Sequence, residues 1–235
     1  MAATEPARLP QVIAIDGPAA SGKGTIAKAV AAALGYRYLE SGALYRLVAL
    51  EATRQKVDAD DAPRLAALGD GLRLRFEGER VFVSGQDVTD VIRTEEVSRL
   101  ASRIAVIPRL RIALLSRQRA FRAPPGLVAE GRDMGTVVFP DARLKLYLTA
   151  SAEARASRRY KQLIDKGNST TIESLLRDIQ DRDGRDSARP RAPLKVAAEA
   201  IVVDTTEMAP EAVVALVLQQ YQMLRSGDAI GVDGT

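Results

Sequence analysis

The segment 16–25, DGPAASGKGT, has residue types and spacing that suit phosphate binding. Four residues separate Gly17 from Gly22, and Lys23 follows at once. The glycines let the backbone curl so that several N–H groups point at one anion, and the lysine reaches toward the reacting phosphates. An apolar run precedes the segment and a helical pattern follows it, which is the setting of a phosphate-binding loop. The motif by itself predicts a bound phosphate and no particular reaction.

One position departs from the usual motif. Gly24 stands where Ser or Thr normally follows the lysine, and Thr25 comes one residue later. The hydroxyl at that place usually contacts magnesium. We therefore expect an indirect contact here, with Thr25 as the candidate side chain.

Two further segments follow predicted strands and carry groups that can bind an anion or a sugar. SGALYR, 41–46, follows the second strand, and EGRDMGTVVFPDA, 130–142, ends the third. The carboxyl ends of parallel strands face one crevice, so both segments should lie near the phosphate-binding loop. Arg46 is either an anion ligand there or a surface helix arginine. Asp133 is either an ion-pair partner of Arg132 or a hydrogen-bond acceptor for a sugar, a base amine or the attacking group.

The polar segment 181–194, DRDGRDSARPRAPL, carries arginines at helical spacing. Arg182, Arg185 and Arg189 fall at i, i+3 and i+7, on one face of a predicted helix, with aspartates spread around it. This face is either a solvated surface with ion pairs that contribute little, or a lid whose arginines converge over a phosphoryl group in transfer.

Short apolar runs predict the core that must position these residues. Near-continuous apolar strands that alternate with helices are typical of an α/β fold with a parallel sheet covered on both faces. The five core strands are expected at 12–15, 36–40, 126–130, 144–150 and 200–206. Three of the helices are expected at 24–34, 152–165 and 209–226.

Two excursions interrupt this core. Alternation of apolar and polar residues over 72–89 predicts a small antiparallel sheet, and a helical pattern over 95–121 is interrupted at Pro108. The second excursion should contain one helix. Its expected limits are a capping box of Thr170 with Glu173 and a stop near Gly184 or Pro190.

The composition excludes several chemistries. The chain has 235 residues, a net charge of +4, no cysteine and no histidine, which rules out disulfides, thiolate catalysis and Ser-His-Asp triads. The N-terminus lacks a signal-peptide pattern, and no apolar run approaches the roughly 18 residues of a membrane span, so we expect a cytoplasmic chain. Seven arginines and no acid over 99–122 suggest nucleic-acid binding. Their helical spacing favours a helix with one core face and one solvated cationic face.

Taken in order, five segments resemble the bacterial cytidylate kinases, a branch of the nucleoside-monophosphate kinases. They are GPAASGKGT, SGALYR, IRTEEV, EGRDMGTVVFPDA and RDGRDSARPRAPL, and the resemblance runs from about residue 11 to residue 225. It implies a P-loop fold that transfers phosphate from ATP, with Mg²⁺, to CMP or dCMP. It also implies a monomer without nucleic-acid or membrane partners. The implied parts are a core of 11–40, 111–157 and 193–225, a nucleotide-binding region of 41–110, a lid of 158–192, and flexible ends of 1–10 and 226–235.

The resemblance also assigns residues to roles. ATP would contact the loop residues Gly17, Pro18, Ala19, Ala20, Ser21, Gly22, Lys23, Gly24 and Thr25. CMP would contact Ser41 and Arg46 through its phosphate, Ser102, Arg111 and Asp133 through cytosine, and Arg182, Asp186 and Arg189 through sugar and phosphates. The catalytic cations would be Lys23, Arg132, Arg182 and Arg189, with Arg158 as a weaker candidate. Glu40 stands where the family often has Asp, so the contact usually assigned to that acid does not transfer directly.

Two other interpretations fit parts of the sequence. The chain could be a small-molecule kinase with an alcohol acceptor such as shikimate or gluconate, or a nucleotide-sensing or nucleic-acid-binding module that only holds ATP. The long insertion and the arginine-rich lid favour a bulkier, twice-anionic acceptor. A distributed charge of +4 is a poor footprint for nucleic acid.

Overall fold

The computed structural model describes residues 9–165, 167 and 169–226, so most of the expected flexible ends lie outside the described residues. The strands in this part of the chain are β1 Gln11–Asp16, β2 Arg37–Glu40, β3 Leu74–Glu77, β4 Arg80–Val83, β5 Gln86–Asp87, β6 Gly126–Gly131, β7 Leu144–Thr149 and β8 Ile201–Asp204. The α-helices are α1 Lys23–Leu34, α2 Ser41–Arg54, α3 Ala62–Gly71, α4 Glu95–Ile104, α5 Pro108–Arg119, α6 Ala152–Ile164, α7 Ile172–Ser187 and α8 Pro210–Ser226. No helix within the described residues is long and apolar enough to cross a membrane.

Five strands form one parallel sheet in the order β2-β6-β1-β7-β8, which confirms the predicted fold class. Strand β1 lies at the centre, and its last residue, Asp16, pairs with Gly131 of β6 and Tyr147 of β7. The connection that follows β1 runs to β2 on one side, whereas the connection that follows β6 runs to β7 on the other side of β1. In open parallel sheets a ligand binds at the carboxyl ends of the strands where the order reverses, so the fold itself locates a crevice here.

Successive residues of β1 point to opposite faces of the sheet, and both faces are buried. Ile13 and Ile15 pack under α1 and α8, whereas Val12 and Ala14 face Phe139 and its neighbours after β6. All four β1 side chains are fully buried. The strand that leads into the phosphate-binding loop is therefore held from both sides.

The first excursion builds a second core beside the sheet. Its antiparallel sheet, in the order β3-β4-β5, confirms the expectation for 72–89, and the helical segment after it divides into α4 and α5 before Pro108 as predicted. Buried side chains from α2, α3, α4 and α5 pack together here. The division of the chain into core, nucleotide-binding region and lid stays a prediction, and two of its limits, 110/111 and 157/158, fall inside α5 and α6.

The lid segment differs from the sequence prediction at both ends of its helix. Thr171, not Thr170, is the N-cap of α7, and its hydroxyl accepts from the Ser174 N–H, so the predicted capping box was wrong by one residue. The helix continues through Gly184 and ends at Ser187. Pro190 disfavours helical geometry in the residue before it, which places Arg189 beyond the helix rather than on its face.

The start of β6 generates a stability prediction. A Cβ added to Gly126 would lie 2.5 Å from the Tyr36 ring, whose hydroxyl is hydrogen-bonded to Tyr221 of α8 at 2.8 Å. We expect Gly126→Ala to lower the free energy of unfolding by about 1–3 kcal/mol through overpacking. Gly71→Ala is the matched control, because no atom lies within 4 Å of its added Cβ. Urea denaturation of both variants checks this, and equal stability of the two would contradict it.

Candidate active site

The phosphate-binding loop connects β1 to α1 and depends on two glycine conformations. Gly17 has φ +150°, and a Cβ there would lie 2.0 Å from the Leu148 carbonyl oxygen of β7. Gly22, with φ +90°, is the left-handed residue immediately before α1. Side chains other than hydrogen are therefore excluded at Gly17 by contact and disfavoured at Gly22 by conformation. The free N–H groups at the start of α1 follow directly and suit an anion.

Lys23 is buried within this loop. Its Nζ donates to the Pro18 carbonyl at 2.7 Å and lies 3.5 Å from Ser21 Oγ. Burial, and then the nearby Arg132 guanidinium, lower the pKa of Lys23 to about 7, while Glu130 acts in the opposite direction. The amine is thus held by backbone and hydroxyl oxygens, and an added anion would favour its charged form.

Asp16 joins the loop to the turn that follows β6. Its two carboxylate oxygens accept from the N–H groups of Met134 and Gly135, each at 2.8 Å. Burial raises the pKa of Asp16 to about 6 although these two hydrogen bonds favour the carboxylate. No motif in the sequence assigns a role to this residue. Asp16 is, however, the last residue of a central strand. The carboxyl ends of parallel strands face one crevice, and this rule would have placed Asp16 in the site.

The turn after β6 directs Arg132 and Asp133 to different partners. Arg132 Nε donates to Asp186 Oδ2 at 2.7 Å, and Asp133 pairs with Arg111 of α5 at 2.5 Å. The alternative of an ion pair between Arg132 and Asp133 was therefore wrong. A π-helical turn over Met134–Val138 begins directly after these residues, of which Arg132 contacts α7 and Asp133 contacts α5.

Asp186 lies among three of the predicted catalytic arginines. Its carboxylate, only 1% exposed, accepts hydrogen bonds from Arg132 and from Arg189. Arg182 lies close enough to help hold the pKa of Asp186 low, and burial followed by Arg132 lowers the pKa of Arg182 to about 10. Since Arg132 and Arg182 also lower the pKa of Lys23, these arginines and the loop belong to one cluster of interacting charges.

The residues predicted to recognise the base lie on α4, α5 and the turn after β6. Arg111 is buried, donates to the Ala105 carbonyl at 3.1 Å and to Asp133, and stands over the Tyr45 ring at 5.7 Å. Ser102 is buried as well and accepts from Arg185 Nε at 3.3 Å. Arg185 therefore faces α4, and the expectation that all three lid arginines converge was wrong for this one.

The segment after β2 has an internal ion pair. Arg46 contacts Glu40, and these two groups are half-buried. Burial opposes ionisation of Glu40, but Arg46 and its hydrogen bond outweigh it and keep the pKa of Glu40 below its usual value. Ser41 lies at the start of α2, against the end of β6, where a Cβ on Gly131 would be 2.5 Å from its Oγ. Arg46 is therefore not a free surface arginine.

Glu130 is a buried carboxylate that sequence analysis quoted without a role. It is the last residue but one of β6 and lies beside Lys23, and the Tyr38 hydroxyl donates to its Oε1 at 3.4 Å. Burial raises the pKa of Glu130 although Lys23 opposes this effect. The same strand-end rule that marks Asp16 would have marked Glu130.

Two weaker candidates lie elsewhere. Arg158 Nη1 donates to Thr205 Oγ1 at 3.1 Å, and the same guanidinium contacts the carbonyls of Thr205 and Thr206, so it holds the loop after β8, and its catalytic role stays a prediction. Thr25, the candidate magnesium contact, is exposed on α1. Of the seven arginines over 99–122, four are exposed, as expected for a solvated cationic face.

These features define a phosphoryl-transfer enzyme of the P-loop class: a central parallel strand leads into a G-x₄-G-K loop, and arginines converge on it from the lid. The family model for cytidylate kinase matches residues 13–223. The cytidylate kinase of Bordetella bronchiseptica is 56% identical over 222 residues, which are 94% of this chain and 100% of that relative. That of Burkholderia vietnamiensis is 55% identical over 224 residues, 95% of this chain and 98% of the relative. The chain belongs to the cytidylate kinase family, which confirms the resemblance found in the sequence.

One solved structure shows only a slight likeness. TT1252 from Thermus thermophilus has a TM-score of 0.46 at 19% identity, over 92% of this chain and 99% of that chain. The fold class rests instead on the strand order and the loop described above.

The lowered pKa of Lys23 predicts proton uptake when ATP binds. With a pKa of about 7, roughly three quarters of the Lys23 amines are neutral at pH 7.5, and a bound phosphate should restore the proton. Affinity for ATP should therefore weaken as pH rises above 7. Calorimetry in buffers of different ionisation enthalpy measures the uptake, and Lys23→Arg, which stays charged, should show none. Identical heats in all buffers for the unmodified chain would contradict the prediction.

Proposed function

We propose that this chain phosphorylates CMP and dCMP at the expense of ATP, in the crevice between the loop at 17–25 and the lid. The proposal depends on one observation. Arg132 and Arg182 lie close enough to Lys23 to lower its pKa, and the same two arginines together with Arg189 surround Asp186. Membership of the cytidylate kinase family supports CMP as the acceptor and CDP as the product. In this proposal 41–110 binds the acceptor and 158–192 is the lid.

The donor side is the loop. Backbone N–H groups of the curled segment and of the first turn of α1 would bind the phosphates of ATP, and Lys23 would exchange its contact with Pro18 for a phosphate oxygen. The described residues contain no cluster of three acidic side chains that could hold a metal. A site with so few protein oxygens fits Mg²⁺ that arrives on the phosphates of ATP, because Mg²⁺ keeps several waters and often binds through substrate phosphates. Thr25 is the side chain that would hold it, and Mg²⁺ would neutralise phosphate charge there.

The acceptor side lies between α2, α5 and the turn after β6. Ser41 and Arg46 would bind the phosphate of CMP, with Glu40 fixing the Arg46 guanidinium. Asp133 would accept a hydrogen bond from the cytosine amine, which uracil lacks, while Arg111 and Ser102 complete the base contacts. Arg182, Asp186 and Arg189 would bind the sugar and phosphates from the lid.

The chemistry needs no side-chain nucleophile. An oxygen of the CMP phosphate attacks the γ-phosphorus of ATP, the bond to the β–γ bridging oxygen breaks, and the electron pair leaves with ADP. The protein holds the two phosphates in line and neutralises charge with Lys23, Arg132, Arg182 and Arg189. A chain without histidine or cysteine is sufficient for this reaction. We further propose that it acts as a cytoplasmic monomer without a nucleic-acid partner.

The first test is Lys23→Met. We expect loss of nearly all ADP production with ATP and CMP, by roughly 10³-fold or more, because a charge that stabilises the transferring phosphoryl group is removed. Lys28→Met is the matched control on the same helix, where Lys28 binds Glu79 at 2.5 Å and is 37% exposed. Its rate should stay within about twofold of the unmodified chain. Undiminished turnover by Lys23→Met would reject the assignment of the loop.

The second test concerns base choice. Asp133→Asn should lower the ratio of kcat/KM for CMP over UMP by roughly 10–100-fold, since an amide no longer repels the uracil carbonyl oxygen. Asp141→Asn is the control, because Asp141 pairs with Arg122 and is 53% exposed in the same segment. The ratio is measured at a temperature where both variants are folded, since Asp133 also pairs with buried Arg111. An unchanged CMP/UMP ratio would remove Asp133 from base recognition.

A further inference from the structure

Arg155 is a buried arginine of α6 that joins three segments of the chain. It is 6% exposed. Its Nε donates to the Ala150 carbonyl at 3.0 Å, and its Nη1 donates to the Ala19 carbonyl of the phosphate-binding loop at 3.2 Å. The same Nη1 lies 2.6 Å from Asp183 Oδ2 of the lid helix α7. One guanidinium thus contacts the end of β7, the loop and the lid.

The loop is constrained at the place where Arg155 holds it. Ala20 follows the contacted residue and has φ +58°, the left-handed conformation that a side chain other than glycine rarely adopts. Ala20 also packs against the small apolar core of the lid, formed by Ala156, Leu163, Leu175 and Ile179. The bend of the loop is therefore maintained by contacts that belong to α6 and the lid.

Asp183, the partner of Arg155 on α7, lies close in sequence to two residues of the proposed site. It follows Arg182 and lies three residues before Asp186, which is one helical turn and nearly the same face. Its second carboxylate oxygen, Oδ1, is buried and has no hydrogen-bond partner among the described residues. Its contact with Arg155 therefore joins α6 to the part of α7 that carries Arg182 and Asp186.

We propose that Arg155 and Asp183 are positioning residues that tie the phosphate-binding loop to the lid helix, and so keep the ATP phosphates aligned with the lid arginines. Neither residue touches the reacting atoms. The inference rests on the proposed function, because it takes Lys23 and Arg182 as the groups that must be aligned. A merely structural ion pair would contribute to stability and leave turnover in the folded enzyme unchanged.

The test is a double-mutant cycle of Arg155→Lys and Asp183→Asn in the full chain. We expect each single variant to lower kcat for CMP phosphorylation by roughly 10–100-fold, the range that small misplacements produce. The kcat of the double variant should be no lower than that of the less active single variant, because both changes break the same connection. All rates are taken at a temperature where every variant is folded.

Two controls separate positioning from stability and from charge. Val217→Ala opens a cavity in the fully buried core of α8 and should lower Tm while kcat stays within about twofold. Asp181→Asn removes a charge from the exposed side of the same lid helix and should leave kcat unchanged. Asp183→Glu, which keeps the charge, serves if Asp183→Asn does not fold, and it should lower kcat in the same direction.

Two results would overturn the inference. One is full kcat in both single variants despite a lower Tm, and the other is a double variant whose loss is the product of the single losses. The Lys23→Met test is independent of these outcomes. Loss of turnover there, together with full turnover in the Arg155 and Asp183 variants, would reject the positioning pair and leave the proposed function intact.

Discussion

Repulsion among four neighbouring cations is the constraint that the rest of this structure must satisfy. Lys23, Arg132, Arg182 and Arg189 are each at least partly buried, and after burial it is another of these cations that most lowers the pKa of Lys23 and of Arg182. Asp186 accepts hydrogen bonds from two of them, and Glu130, Asp16 and Asp183 also offset part of the repulsion on Lys23 and Arg132. In the proposed reaction the phosphates of both nucleotides would add negative charge beside these cations. Because such ligands bind the folded form, they also stabilise it.

Rigid backbone contacts hold these cations in place before any ligand binds. The close approach of Gly17 to the Leu148 carbonyl fixes where the loop leaves the sheet. The two hydrogen bonds from Met134 and Gly135 to Asp16 fix the turn that carries Arg132 and Asp133. The loop and the turn are therefore in place before the phosphates arrive, and fixed charges contribute most to catalysis when little reorganisation is needed.

The features that the sequence predicted are local ones. The loop could be recognised because its glycines and lysine are adjacent in the chain, and the sheet because each strand is a continuous apolar run. The partners of the arginines could not, because they depend on side chains that meet from separate elements. Arg132 binds Asp186, 54 residues away, instead of the neighbouring Asp133. Arg155 escaped notice for the same reason, since no motif shows that one arginine contacts both Ala19 and Asp183.

The charges of the crevice favour the cytidylate kinase reaction over an alcohol acceptor and over nucleic-acid binding, the two alternatives that the sequence left open. An alcohol acceptor brings no charge, so it would not reduce the repulsion that Arg132 exerts on Lys23 and on Arg182. A nucleic acid brings charge in excess, but it would need exposed cations, and those of the crevice are buried or half-buried around Asp186. A small nucleotide with its own phosphate satisfies both conditions. The distribution of buried charge therefore favours a nucleoside monophosphate, and in the proposed function Asp133, beside Arg111, would be the acceptor that distinguishes cytosine.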